Sequence, residues 1–113
     1  MKNIFITSAL RTAVGSLNKT LRNVPADEMG SAIISSSVEK VKINKNDIDE
    51  VIMGQVLTGG AGQNPARQAA FKSGIPKEKP AYIVNQVCGS GIRSIASGFQ
   101  SIKSGDSKIC LLY

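Results

Sequence analysis

Apolar and polar positions along the chain alternate between two periods, and the changes of period divide it into short elements. The run Asn3-Ile4-Phe5-Ile6-Thr7 within Lys2 to Thr7 is β-branched and aromatic, which predicts a buried strand. Ser8 to Pro25 carries Gly15, Asn18, Asn23 and Pro25 without a steady period and reads as a surface loop. From Ala26 onward Met29, Ala32, Ile33, Ser36, Ser37 and Val41 recur three and four apart. Asp27 and Glu28 fall in the first turn, where negative charge suits the helix dipole, so a helix is predicted to about Lys42. Its central serines have low helix propensity, so packing must hold it. Val51-Ile52-Met53 predicts a second buried strand, stopped by Gly54.

Thr58-Gly59-Gly60-Ala61-Gly62 is a flexible loop, and Asn64-Pro65 is a helix start: Asn caps free backbone donors and Pro tolerates the first helical position. That helix should run from Pro65 to Ser73 and stop at Gly74. Ala81 to Asn85 predicts a third strand. Ile92, Ile95, Ala96, Phe99 and Ile102 then share one helical face, closed by Gly105, and Lys108 to Leu112 predicts a fourth strand. Strands alternating with helices imply an α/β fold in the order βαβαβαβ, a mostly parallel sheet with helices on both faces, in one domain over residues 1–113.

Composition fits that picture: 42% apolar and 19% charged residues are ordinary for a globular domain. The formal charge of +6 comes from scattered lysines and arginines, and only five aromatic residues are present, so the interleaved basic and aromatic footprint of single-strand nucleic-acid binding is absent. No nucleic-acid partner is expected, although the charge suits phosphate-bearing ligands. No apolar run approaches the roughly 20 residues that span a bilayer, and Asn3, Thr7, Ser8 and Arg11 interrupt any secretory apolar region. The expectation is a cytoplasmic chain with no membrane partner, whose Cys88 and Cys110 are free thiols.

Cys88 has the most chemically suggestive address. It lies in Asn85-Gln86-Val87-Cys88-Gly89-Ser90-Gly91, just after a predicted strand and before the best-patterned helix. Backbone donors and the dipole at a helix start stabilise negative charge on sulfur. Gly89 and Gly91 leave room for a substrate carbonyl to approach, which suits acyl transfer through a thioester. The competing reading is a small buried residue in a tight turn. Cys110, inside an apolar strand, fits that second reading better. The glycine clusters fail as phosphate loops, because Pro65 stands where a dinucleotide fingerprint wants its third glycine and Gly54 to Gly60 lacks the Lys and Ser/Thr of a P-loop. No metal site is expected, since there is no His and the two cysteines are far apart in sequence. The absence of His also removes the usual base for a thiol nucleophile.

Four segments carry a family resemblance: Arg11-Thr12-Ala13-Val14-Gly15, Glu50 through Leu57, Gly62-Gln63-Asn64-Pro65-Ala66-Arg67-Gln68-Ala69, and Asn85 through Gly91. In order and spacing they are similar to the start of thiolases, most closely the acetoacetyl-CoA-forming branch. The resemblance implies that Cys88 accepts an acetyl group from acetyl-CoA and that a second acetyl-CoA attacks the thioester. It further implies that the Cys88 N–H helps form an oxyanion hole, and that the strand Ala81 to Asn85 pairs across a two-fold axis in a homo-oligomer. Coenzyme A and acetyl-CoA would be product and substrate, with no separate cofactor. The family's activating His and second Cys have no counterpart here, and Lys108 to Tyr113 departs from the family's small apolar strand. The expectation is therefore a partial thiolase N-terminal domain from a truncated or frame-interrupted reading frame, inactive alone. The alternative is a noncatalytic fragment or an interaction module that uses its dimer-type strand.

Overall fold

A computed structural model describes residues 3–113, and among these three α-helices and three strands form the fold. Helix α1 (Ala26–Val41) begins after Pro25 and ends at Lys42, which turns into the left-handed region at φ 54. A short 3-10 turn at Lys45–Asp47, capped by the Asn44 side chain, leads into strand β1 (Glu50–Gly54). Helix α2 (Pro65–Lys72), strand β2 (Ala81–Val84), helix α3 (Ser90–Ser104) and strand β3 (Cys110–Leu112) follow. Gly74 and Gly105 both take positive φ where those helices end, as their positions after the last apolar repeat predict.

The sheet is parallel with order β2-β1-β3, in the register Ala81, Val51, Leu111 and Tyr82, Ile52, Leu112. β1 is the central strand, which explains why Val51 and Ile52 are wholly buried and read as a continuous apolar run. The crossover through α2 steps one way from β1, and the crossover through α3 steps back across it. With crossovers of one hand, opposite steps put the two helices on opposite faces. The packing agrees. Val51, Met53, Ala81 and Leu111 face α1 and α2 in one core with Ile34, Val38, Ala66 and Ala69. Glu50, Gly54, Cys110 and Leu112 meet α3 and the turn after it on the other face.

Three details differ from the sequence reading. The buried face of α1 is Gly30, Ile33, Ile34 and Val38, one residue round from the expected stripe, with Ala32 and Ser36 exposed. Gly30 is the reason: a Cβ there would lie 2.6 Å from Met53 Cε and 3.0 Å from the Ala69 Cβ, so its bare backbone lets α1 close on α2 and the sheet. In α3 the stripe against the sheet is Ser90, Ser94 and Gly98, while Ile92, Ile95 and Phe99 stay exposed. Small residues allow close approach of helix to strand, and the strongly apolar face points outward. Of the expected first strand, Lys2 to Thr7, residues 3–7 are absent from the sheet and Lys2 lies outside the described residues. Residues 3–11 make no backbone hydrogen bond among the described residues. An apolar run supplies side chains but a strand also needs a partner edge, and this segment instead lines an apolar cavity of about 610 Å³ with Ile95, Phe99 and Leu112. The observed order is thus αβαβαβ within the expected α/β parallel class.

Candidate functional site

Cys88 lies where β2 hands over to α3, and its side chain is exposed. Two overlapping turns make the connection: the Gly89 N–H donates to the Gln86 carbonyl at 3.0 Å and the Ser90 N–H to the Val87 carbonyl at 3.1 Å. Two side chains brace them. Asn85 Oδ1 accepts from the Val87 N–H at 2.9 Å, and Asn85 Nδ2 donates to the Val56 carbonyl at 3.1 Å. Ser90 Oγ, in a residue only 4% exposed, accepts from the Gln86 N–H at 2.9 Å and donates to the Val87 carbonyl at 2.6 Å. Between these braces Val87 is held at φ 50, left-handed backbone that a β-branched residue rarely adopts. The Cys88 N–H has no hydrogen-bond partner among the described residues, and no side chain caps α3. Exposed thiol and free N–H therefore stand together at the positive end of a 15-residue helix.

β1 sets the floor of this site. Gly54 packs so closely on α3 that a Cβ there would lie 2.6 Å from Ser90 C and O and 2.8 Å from Gly91 N. The Gln55 N–H donates to the Val84 carbonyl at 3.1 Å, and its side chain holds the Leu57 carbonyl at 2.9 Å, which orders the loop that Asn85 grips. On the other side of Gly54 is a cavity of about 490 Å³ lined by Thr12, Gly15, Gln55, Pro65 and Tyr113 among others. Thr12 Oγ1 and Tyr113 Oη lie 3.1 Å apart across it. Segments distant in sequence thus meet near the C-terminal end of β1, the end of a parallel sheet where ligands commonly bind. Cys88 itself does not line that cavity.

The segment Gly62 to Ala69 has a bracing role. Asn64, at φ 44, accepts from the Arg67 N–H at 3.1 Å as the expected helix cap, and its amide also donates to the Ala81 carbonyl at 2.8 Å. Gln68 Nε2 donates to the Ala61 and Gln63 carbonyls at 2.7 and 2.8 Å and closes the glycine loop.

Cys110 is on the α3 face of β3, with its thiol 3.3 Å from Glu50 Oε1 and 3.7 Å from the Gly98 carbonyl. Burial, and then the neighbouring Glu50 carboxylate, push this thiol up to about 12, so it stays protonated and unreactive near neutrality. Both cysteines are free. Among the described residues no three His, Cys, Asp or Glu side chains gather to hold a metal ion. Nor is any helix long and apolar enough to cross a membrane.

Sequence reasoning placed Cys88 between a strand and a helix, as found, but missed the braces around it and the left-handed Val87. Asn and Ser flanking a turn are residues that hydrogen-bond local backbone, so a signal was present at Asn85 and Ser90. Left-handed backbone at a valine has no sequence signal.

The thiolase N-terminal domain family model matches residues 4–113. Among similar proteins, the acetyl-CoA acetyltransferase of Rhizobium meliloti (strain 1021) is 52% identical over 95% of this chain and 27% of its own length. That of Escherichia coli (strain K12) is 47% identical over 96% of this chain and 27% of its own. The crystal structure of the Acat5 thiolase from Ascaris suum in complex with coenzyme A superposes with a TM-score of 0.80 at 33% identity, covering 82% of this chain and 24% of that one. The chain therefore spans about a quarter of the length of the proteins it matches. With the match running through both the sheet and the Cys88 turn, the chain belongs to the thiolase family, in the N-terminal domain of that fold.

Proposed function

We propose that Cys88 is the acyl-accepting nucleophile of an acetyl-CoA C-acetyltransferase, and that residues 1–113 are part of the N-terminal domain of such an enzyme. The observation that carries this reading is the exposed Cys88 thiol beside its own unengaged N–H at the start of α3. Relatives named acetyl-CoA acetyltransferase at 46–52% identity support the substrate class.

In the proposed reaction the Cys88 thiolate attacks the acetyl carbonyl of acetyl-CoA. A carbon–sulfur bond forms to Cys88, the bond to coenzyme A breaks, and CoA leaves as the thiol after taking up a proton. A second acetyl-CoA, deprotonated at its methyl carbon, then attacks the Cys88 thioester. A carbon–carbon bond forms, the thiolate leaves and acetoacetyl-CoA results; thiolysis is the reverse. The oxyanion of each tetrahedral species needs preorganised donors, and the free Cys88 N–H is one such donor. The base that removes the methyl proton is not assigned within these residues, which contain no His. The complete condensation is therefore not expected of these 113 residues alone, and the first half-reaction is the step for which Cys88 and its N–H can be tested. Homo-oligomerisation through the open outer edge of β2, and a cytoplasmic location, belong to the same proposal.

The test is isotope exchange between labelled coenzyme A and acetyl-CoA, which needs only the first half-reaction. Exchange that Cys88→Ala abolishes and Cys110→Ala leaves intact is the expected result. A folded chain with no Cys88-dependent exchange would instead favour the noncatalytic reading, to which the exposed Ile92, Ile95 and Phe99 face of α3 gives some weight as an interaction surface.

A further inference from the structure

The backbone around Cys88 is held in a shape that its own residues do not prefer. Among the described residues, Val87 at φ 50 is the one β-branched non-glycine residue with positive φ; the others are Asn18, Lys42 and Asn64. Asparagines tolerate that region and Lys42 sits at a helix end, where it is common. Val87 has neither excuse, and the residue is 64% exposed, so core packing does not hold it there. What does hold it is the pair of braces. Asn85 fixes the Val87 N–H to the loop after β1 through Val56, and the buried Ser90 hydroxyl fixes the Val87 carbonyl and the Gln86 N–H. Strain of this sort persists only where the surroundings over-determine it.

We propose that Asn85 and Ser90 are positioning residues for the Cys88 thiol. They lock Val87 in left-handed backbone so that the chain reverses into α3 with the Cys88 sulfur at the helix start and its N–H unspent. Their side-chain polar atoms are spent on backbone groups of Val56, Gln86 and Val87. This inference rests on Cys88 being the acyl acceptor, and it adds which residues aim it.

The test is a rescue series in the full 113-residue chain, with retention of the fold checked by circular dichroism. Cys88 acetylation by acetyl-CoA and its alkylation by N-ethylmaleimide are each expressed as a rate per folded molecule. Ser90→Ala is expected to slow both, acetylation by about tenfold or more, because misplacement by a fraction of an ångström is costly at a reacting atom. Ser90→Thr, which keeps the hydroxyl, restores the rates. Val87→Gly added to Ser90→Ala also restores most of the loss, because glycine adopts left-handed backbone without a brace. A purely structural serine would lower the melting temperature and leave the rates per folded molecule unchanged, which overturns the inference. So would a double variant no faster than Ser90→Ala. If the unmodified chain is alkylated but never acetylated, the acyl-acceptor reading fails, and the alkylation series still decides whether the braces position the thiol.

Discussion

Gly54→Ala places one methyl group in the tightest contact under the candidate site. Its carbon would meet backbone atoms of Ser90 and Gly91 at 2.6 to 2.8 Å, whereas carbon contacts are ordinarily comfortable at about 3.5–4.0 Å. Backbone at a helix start cannot rotate aside as a side chain does, so α3 must retreat by roughly 1 Å or β1 must bend. Overpacking of this kind costs about 1–3 kcal/mol, only partly offset by the roughly 0.4–1 kcal/mol that Gly→Ala gains from a less flexible unfolded chain. The retreat also moves the Ser90 brace and with it Cys88, and a 1 Å misplacement at a reacting group costs on the order of a hundredfold in rate. Urea denaturation gives the first quantity and Cys88 acetylation per folded molecule the second. Gly91→Ala is the control for stability, because nothing lies within 4 Å of a Cβ at that position. It should leave the denaturation midpoint unchanged or raise it. If Gly54→Ala unfolds at the same urea concentration as the unmodified chain and is acetylated as fast, then the close approach of β1 to α3 has no part in setting the site.

Four further outcomes follow from the same geometry. N-ethylmaleimide at pH 8 should modify Cys88 well ahead of Cys110; peptide mapping that finds equal rates contradicts the half-buried, Glu50-bonded thiol at Cys110. Because that thiol is raised from 9.0 to about 12 in the folded chain, its contribution to stability is complete below about pH 9 and is lost as pH rises toward 12, so Cys110→Ala should flatten the alkaline fall in melting temperature. Asp49 accepts from the Lys108 and Ile109 N–H groups at 2.7 and 3.0 Å, and these bonds hold its carboxyl below the ordinary 3.8. That contribution is complete above pH 3.8 and is lost as pH falls through the lowered value, so Asp49→Asn should destabilise at pH 7 by about 1–2 kcal/mol and progressively less as pH falls below 3.8. Asn64→Ala removes both the α2 cap and the bond to the Ala81 carbonyl, and equilibrium denaturation should show a loss of about 1–2 kcal/mol.

Much of this fold was legible because its signals are local. Asn64-Pro65, Gly74 and Gly105 mark helix ends through backbone chemistry that acts wherever they stand, and the structure places those ends there. Val51 and Ile52 read as a central strand because a strand covered on both faces has no polar side to show. What misled was pattern without partner. The Ile4-Phe5-Ile6 run looks like a strand, yet pairing depends on an edge elsewhere in the fold. The apolar stripe of α3 looks like its buried face, yet Ser90, Ser94 and Gly98 pack on the sheet, because closeness to β1 and β3 favoured small residues there. At the site, the address of Cys88 was visible as a cysteine between a strand and a helix. Its braces depend on which backbone groups two polar side chains reach, and that is settled only when Val56 and Gln86 are brought beside them.

The most direct test of the central claim is peptide mass spectrometry of the chain after incubation with acetyl-CoA, alongside Cys88→Ala and Cys110→Ala. The account predicts a single acetyl group on the Cys88 peptide, lost in Cys88→Ala and retained in Cys110→Ala. A folded chain that stays unmodified, or one that carries its acetyl group on Cys110, would contradict it.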